Sequence, residues 1–180
     1  MKYSVVTLSG PSASGKTTLI DLIVERYPNL AEKIKSTTSK VGRLEDYNKV
    51  SVEEFLRMIE NDEFLEHTLY CGNYYGLPKN FIEGIADGKV GIKAFDIYGV
   101  EALKKIYGNK VFSIFLHRST DRLIEEIKKR NVSDEEKEIR IANLDSEQEN
   151  RFSPFIDLII EVEENNLDAI VEQIVNAINN

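Results

Sequence analysis

The chain has 180 residues, a formal net charge of −8 and one cysteine, Cys71. That length builds one compact unit burying about 70% of its unfolded surface, and one thiol excludes a disulfide framework or a paired metal-thiolate site, leaving a reduced thiol in a strand. The acidic balance speaks against a nucleic-acid binder, no apolar run reaches bilayer-spanning length and no basic, apolar leader opens the chain, so a cytoplasmic protein that works on neither membrane nor nucleic acid is expected.

The residues up to Leu8 read as a short strand, and Thr18 to Arg26 reads as a helix. Between them Gly10-Pro11-Ser12-Ala13-Ser14-Gly15-Lys16-Thr17 fits G-x-x-x-x-G-K-[ST] at every fixed position. Strand, glycine loop and helix in this order cradle the phosphates of a nucleoside triphosphate. Two glycines let the backbone turn tightly with its amides inward, and the helix start offers unpaired N–H groups and partial positive charge to an anion. Gly10, Ser12, Ala13, Ser14, Gly15, Lys16, Thr17 and Thr18 are therefore the candidate triphosphate-binding residues. Lys16 would reach the β- and γ-phosphates, and the Thr17 hydroxyl would ligate the Mg²⁺ that bridges them.

Further along, Ser51-Val52-Glu53-Glu54 forms a capping box that opens a helix through Met58. The segment from Phe64 to Gly76, carrying Glu66, Tyr70, Tyr74 and Tyr75, reads as strands, and its position makes it an insertion with its own small sheet. Apolar runs at Val90 to Phe95, Val111 to Leu116 and Leu158 to Val162 alternate with helical patterns. Together with the first strand they predict an α/β protein with a parallel sheet covered on both faces. Asp96 closes one of these strands, at a helix N-cap position. From Asp121 to Asn150 the chain is almost wholly charged or polar, with Ser133-Asp134-Glu135-Glu136 opening a helix towards Glu149. Such a stretch forms a pair of solvated helices, or a lid over a nucleotide site.

From the glycine loop onward the chain resembles the guanylate kinase family. The resemblance rests on GPSASGKTTL at 10 to 19, STTSKVGR at 36 to 43, DYNKVSVEEF at 46 to 55, FLEHTLYCGNYYG at 64 to 76, FDIYGV at 95 to 100 and, more loosely, RNVSDEEKEIRI at 130 to 141. It implies a three-layer P-loop kinase fold with a parallel central sheet, a small mixed-sheet monophosphate-binding insertion and a helical lid. The nucleotide-binding core would comprise residues 1–32, 88–125 and 150–180, the insertion 33–87 and the lid 126–149. The implied reaction moves the γ-phosphoryl group of ATP to GMP, with dGMP as a further acceptor, giving ADP and GDP with Mg²⁺. Small nucleotides would be the partners, and the protein a monomer or homodimer.

The resemblance also assigns roles. Glu66 matches the guanine-reading glutamate: a carboxylate accepts together from guanine N1–H and N2–H₂, whereas adenine offers an acceptor at N1. Lys40, Arg43, Tyr47 and Tyr75 match the positions holding the GMP phosphate, and Ser36 a hydroxyl position beside the purine. Asp96 matches an aspartate near the phosphates that holds Mg²⁺ through water or contacts the acceptor nucleotide. Arg130 and Arg140 match lid arginines that, with Lys16, stabilise the transferring group. Plain structural roles compete at each position: loop charges, packing tyrosines, a helix N-cap at Asp96, salt bridges on an acidic helix.

Three residues depart from the family pattern. Lys40 stands for an arginine and offers a point charge in place of a bidentate fork. Leu77 stands for serine or threonine, and Glu126 for a third lid arginine, with Lys128 or Lys129 nearby. They keep open a kinase acting on another monophosphate or a phosphosugar. A non-catalytic protein-binding domain of the same fold would typically lose the glycine loop, whereas Lys16 and Thr17 are intact. A regulatory GTPase is disfavoured by the lack of an N-K-x-D motif.

Overall fold

The computed structural model describes residues 2–41, 47–70, 72–163 and 166–179. The expected positions of Arg43 and Cys71 lie outside the described residues. The chain runs β1 (Val5–Ser9), α1 (Lys16–Arg26), β2 (Ala31–Lys33), β3 (Ser36–Thr38), β4 (Tyr47–Lys49), α2 (Val52–Glu60), β5 (Phe64–Tyr70) and β6 (Asn73–Pro78). It continues through β7 (Val90–Ala94), α3 (Ile97–Tyr107), β8 (Val111–His117), α4 (Thr120–Lys129), α5 (Asp134–Ala142), α6 (Leu144–Glu149), β9 (Leu158–Glu161) and α7 (Leu167–Asn179).

The central sheet is parallel in the order β2-β7-β1-β8-β9. All of β1 is buried, as a strand covered on both faces must be. On one face, Val6 and Leu8 pack with Ile20 and Ile23 of α1 and Ile174 of α7. On the other, Val5 and Val111 meet Val100 and Leu103 of α3. Helix, sheet and helix give the expected three layers. No helix of the described residues is long and apolar enough to cross a membrane.

A second, mixed sheet runs β4-β3-β6-β5, with β3 and β4 parallel and the other pairs antiparallel. It is the small sheet expected after the first βα unit. Phe55 of α2 stacks on Phe64 at 4.5 Å and on Tyr74 at 5.3 Å between ring centroids, giving this sheet an aromatic core of its own. The Ser51 half of the capping box is formed, Ser51 Oγ accepting from the Glu54 amide at 3.1 Å, while the Glu54 carboxylate accepts from Arg57.

Two helices differ from expectation. α1 starts at Lys16, two residues early, because Gly15 takes the left-handed conformation (φ 92°) that caps it. The helix opened by Ser133 stops at Ala142, where the Asn143 amide closes it onto Ile139 and Ile141 carbonyls. This break turns Leu144 into a cluster with Leu123 and Ile127 of α4, so three helices stand where two were expected. β2 was not anticipated, as three residues at a sheet edge carry no period.

Gly76 is where the insertion is tightest. A Cβ there would lie 2.7 Å from Phe64 Cδ1 and 3.0 Å from Phe55 Cζ. Gly76→Ala is therefore expected to destabilise the protein by about 1–3 kcal/mol through overpacking, seen as a lower denaturant midpoint. An unchanged midpoint would show that the aromatic stack yields freely.

Candidate active site

The glycine loop leaves the carboxyl end of β1. Gly10 adopts φ 141°, and a Cβ on it would sit 2.5 Å from the Leu116 carbonyl oxygen of β8, so glycine is required by both conformation and space. Ala13 is left-handed (φ 68°), a strain of about 1–2 kcal/mol for an L-residue. The turn encloses Lys16, whose Nζ donates to the carbonyls of Gly10 (2.7 Å) and Pro11 (2.8 Å) and to Ser14 Oγ (3.4 Å). Burial lowers the Lys16 pKa to about 8, opposed by the Glu147 carboxylate and assisted by Arg130 and Arg140.

The charged helices meet this loop. Arg140 of α5 donates from Nη1 to Ser12 Oγ at 2.7 Å and pairs with Glu136 through Nε (3.0 Å) and Nη2 (2.7 Å). Glu147 of α6 accepts from the Ser12 amide at 2.8 Å. Arg130 is exposed at the end of α4, within electrostatic reach of Lys16. The salt bridge on an acidic helix is thus formed by Arg140, and the same side chain reaches the glycine loop.

Ala13, Ser14, Gly15 and Thr18 line a cavity of about 590 Å³ with Arg118, Lys129, Arg130 and Glu163. Glu126 lines it too and accepts from Lys129 Nζ at 2.7 Å, which holds its carboxyl below the usual range. Thr17 faces a neighbouring cavity of about 230 Å³, lined also by Asp21, Tyr47, Lys93 and Ala94.

Across the cleft, Ser36, Tyr47, Glu66, Tyr75 and Asp96 line a cavity of about 380 Å³ together with His67, Thr68, Lys93 and Tyr98. Tyr47 and Tyr75 meet edge to face at 5.9 Å. Burial and the nearby Asp96 carboxylate raise the Glu66 pKa, while Lys93 opposes the shift. Asp96 caps α3, accepting from the Gly99 amide at 2.8 Å.

Two expected features fall elsewhere. Lys40 is exposed and does not line this cavity, its amide donating to Thr38 Oγ1. Leu77 packs in the core with Val5, Ile34 and Phe81 and does not line the cavity. Sequence reasoning missed Arg118, Lys93, Glu163 and Glu147. Lys93 and Arg118 could have been found as lone cations at the ends of apolar strands, whereas Glu147 sits on a charged helix with nothing to single it out.

A glycine loop on a parallel sheet, a charged helical segment over it and a second polar cavity on an inserted sheet define a P-loop nucleoside monophosphate kinase, a phosphotransferase. The guanylate kinase family model matches residues 2–180, and the chain belongs to that family. It is 40% identical to the guanylate kinase of Carboxydothermus hydrogenoformans over 140 residues, 75% of this chain and 69% of that one. It is 32% identical to the guanylate kinase of Thermotoga maritima over 183 residues, covering 99% and 87% of the two chains. The crystal structure of guanylate kinase from Anaplasma phagocytophilum shares the fold at a TM-score of 0.68 and 24% identity, covering 98% of this chain and 85% of that one.

The buried lysine predicts a pH dependence. The phosphate contact expected of Lys16 needs its charged form, so kcat/KM for ATP, which reports the free enzyme, is expected to fall as pH rises through about 8. Glu147→Gln removes a charge that favours the ammonium and should move this limb to lower pH. A profile flat from about pH 7 to 9.5 would show that Lys16 does not titrate there.

Proposed function

We propose that this protein is an ATP-dependent guanylate kinase, transferring the γ-phosphoryl group of ATP to GMP. The observation that carries the reading is the Glu66 carboxylate, partly buried in a cavity that adjoins the glycine-loop side through Tyr47, Lys93 and Ala94. A buried acceptor pair suits guanine's adjacent donors, and a base without them would leave it unpaired. Ser36, Tyr47 and Tyr75 surround the same space and offer hydroxyls to base and phosphate. Arg43 and Lys40 remain proposed phosphate contacts, Lys40 only if its exposed side chain moves inward.

In this reading an oxygen of the GMP phosphate attacks the γ-phosphorus. The new P–O bond forms as the bond to the β–γ bridging oxygen breaks, and ADP leaves with that electron pair. Lys16, Arg130 and Arg140 neutralise charge on the transferring group, where positioned electrostatics supply most of the catalysis. The Thr17 hydroxyl, exposed at the first turn of α1, is a hard oxygen of the kind Mg²⁺ takes beside phosphates and water. Bound Mg²⁺ supplies further charge neutralisation there. Asp96, being engaged by Gly99, would act on the metal through water. Residues 126–149 serve as the lid, 33–87 as the monophosphate-binding insertion, and the remainder as core.

A coupled assay with ATP and a panel of nucleoside monophosphates and phosphosugars tests this reading, which fails if GMP is not phosphorylated while another acceptor is. Lys16→Ala should lower kcat by on the order of 10²–10³ with little change in GMP affinity. Glu66→Gln should reduce discrimination between GMP and AMP by roughly 10–100-fold, and unchanged discrimination would remove Glu66 from base reading.

A further inference from the structure

We infer that Lys93 is a catalytic residue that grips the acceptor's phosphate at the junction of the two substrate cavities. The inference rests on the acceptor reading proposed above. Lys93 is the penultimate residue of β7 and pairs in register with Thr7 of β1, the strand that feeds the glycine loop. Its Nζ lies 5.3 Å from the centre of the Tyr47 ring. The Glu66 cavity and the Thr17 cavity share Tyr47, Lys93 and Ala94. Of these, Lys93 alone carries a positive charge.

The chemistry requires a cation at this point. Two anionic phosphates must approach in line, and their repulsion is largest where the acceptor oxygen meets the γ-phosphorus. Lys16, Arg130 and Arg140 gather on the triphosphate side. On the acceptor side Lys40 is exposed and off the cavity, and Arg43 lies outside the described residues, so Lys93 is proposed as a cation that acts beside Arg43. An ammonium on a four-carbon stem is a mobile point charge able to follow an acceptor oxygen as the bond forms. Lys93 transfers no proton in this step and forms no bond; it neutralises charge. The competing role is that of a counter-ion to Glu66, whose carboxyl its charge also favours in the ionised form.

Phosphate and base contacts can be separated with the full chain. Dissociation constants for GMP and for guanosine, the same base without the phosphate, are measured for the wild type, Lys93→Met and Lys93→Arg, alongside kcat. The expected result is a tenfold or greater loss of GMP affinity in Lys93→Met, a lower kcat, a change below threefold for guanosine, and partial recovery in Lys93→Arg. Equal losses for GMP and guanosine would overturn the assignment and make Lys93 a partner of Glu66; unchanged GMP binding and kcat would overturn it outright. Should Lys93→Met fail to fold, Lys93→Gln provides the same comparison. If the wild type binds another nucleoside monophosphate instead of GMP, the guanine reading fails, and that nucleotide and its nucleoside test Lys93 by the same ratio.

Discussion

Enclosing the Lys16 ammonium at the start of α1 is the constraint on which the rest of the architecture depends. A helix N-terminus carries partial positive charge and by itself repels a cation. What holds the ammonium is a pair of carbonyls, Gly10 and Pro11, turned inward by the loop. That turn exists only because Gly10 can adopt a conformation and an approach to Leu116 that a side chain would forbid. Leu116 in turn is fixed by its place in β8, where Phe115 before it pairs with Ser9 of β1 and Leu116 itself pairs with Ile160 of β9. The buried sheet thus supplies the rigidity that a strained, charge-bearing loop needs.

Among the described residues, the hydrogen bonds that tie the helical segment to this loop converge on Ser12. Its amide is held by Glu147 and its hydroxyl by Arg140, while Ala13 packs beside Leu123, Ile127 and Leu144. Hydrogen bonds therefore run from Glu136 through Arg140 and Ser12 to Glu147. The arrangement places an acid near Lys16, which helps retain the ammonium's charge in a poorly solvated place.

Local rules made much of this legible in the sequence. The glycine loop, both serine N-caps and the apolar runs of β1, β7, β8 and β9 obey short-range chemistry, and the structure follows them. What escaped depends on the third dimension. The break at Asn143 answers to the packing of Leu144, and Leu77 faces the core because of the way β6 lies on the molecule. Glu147 meets Ser12 across 135 residues of chain. Lys93 gains meaning only when β7 is set beside β1, one strand away from the loop.

The acceptor cavity shows how two nearby carboxylates come to differ. The Asp96 carboxylate adds to the cost of ionising Glu66, while Asp96 itself is engaged as the cap of α3. Gly99, in the first turn of that helix, lacks the Cβ that would lie 3.0 Å from Glu66 Oε2, which leaves room for that carboxylate at the cavity wall. Burial then acts in two directions. It makes an unfilled Glu66 costly to keep charged, and it enlarges the loss when the wrong base leaves it without donors. Lys93 lowers the first cost by its charge, and in the roles proposed above it does so from the phosphate end while Glu66 serves the base end.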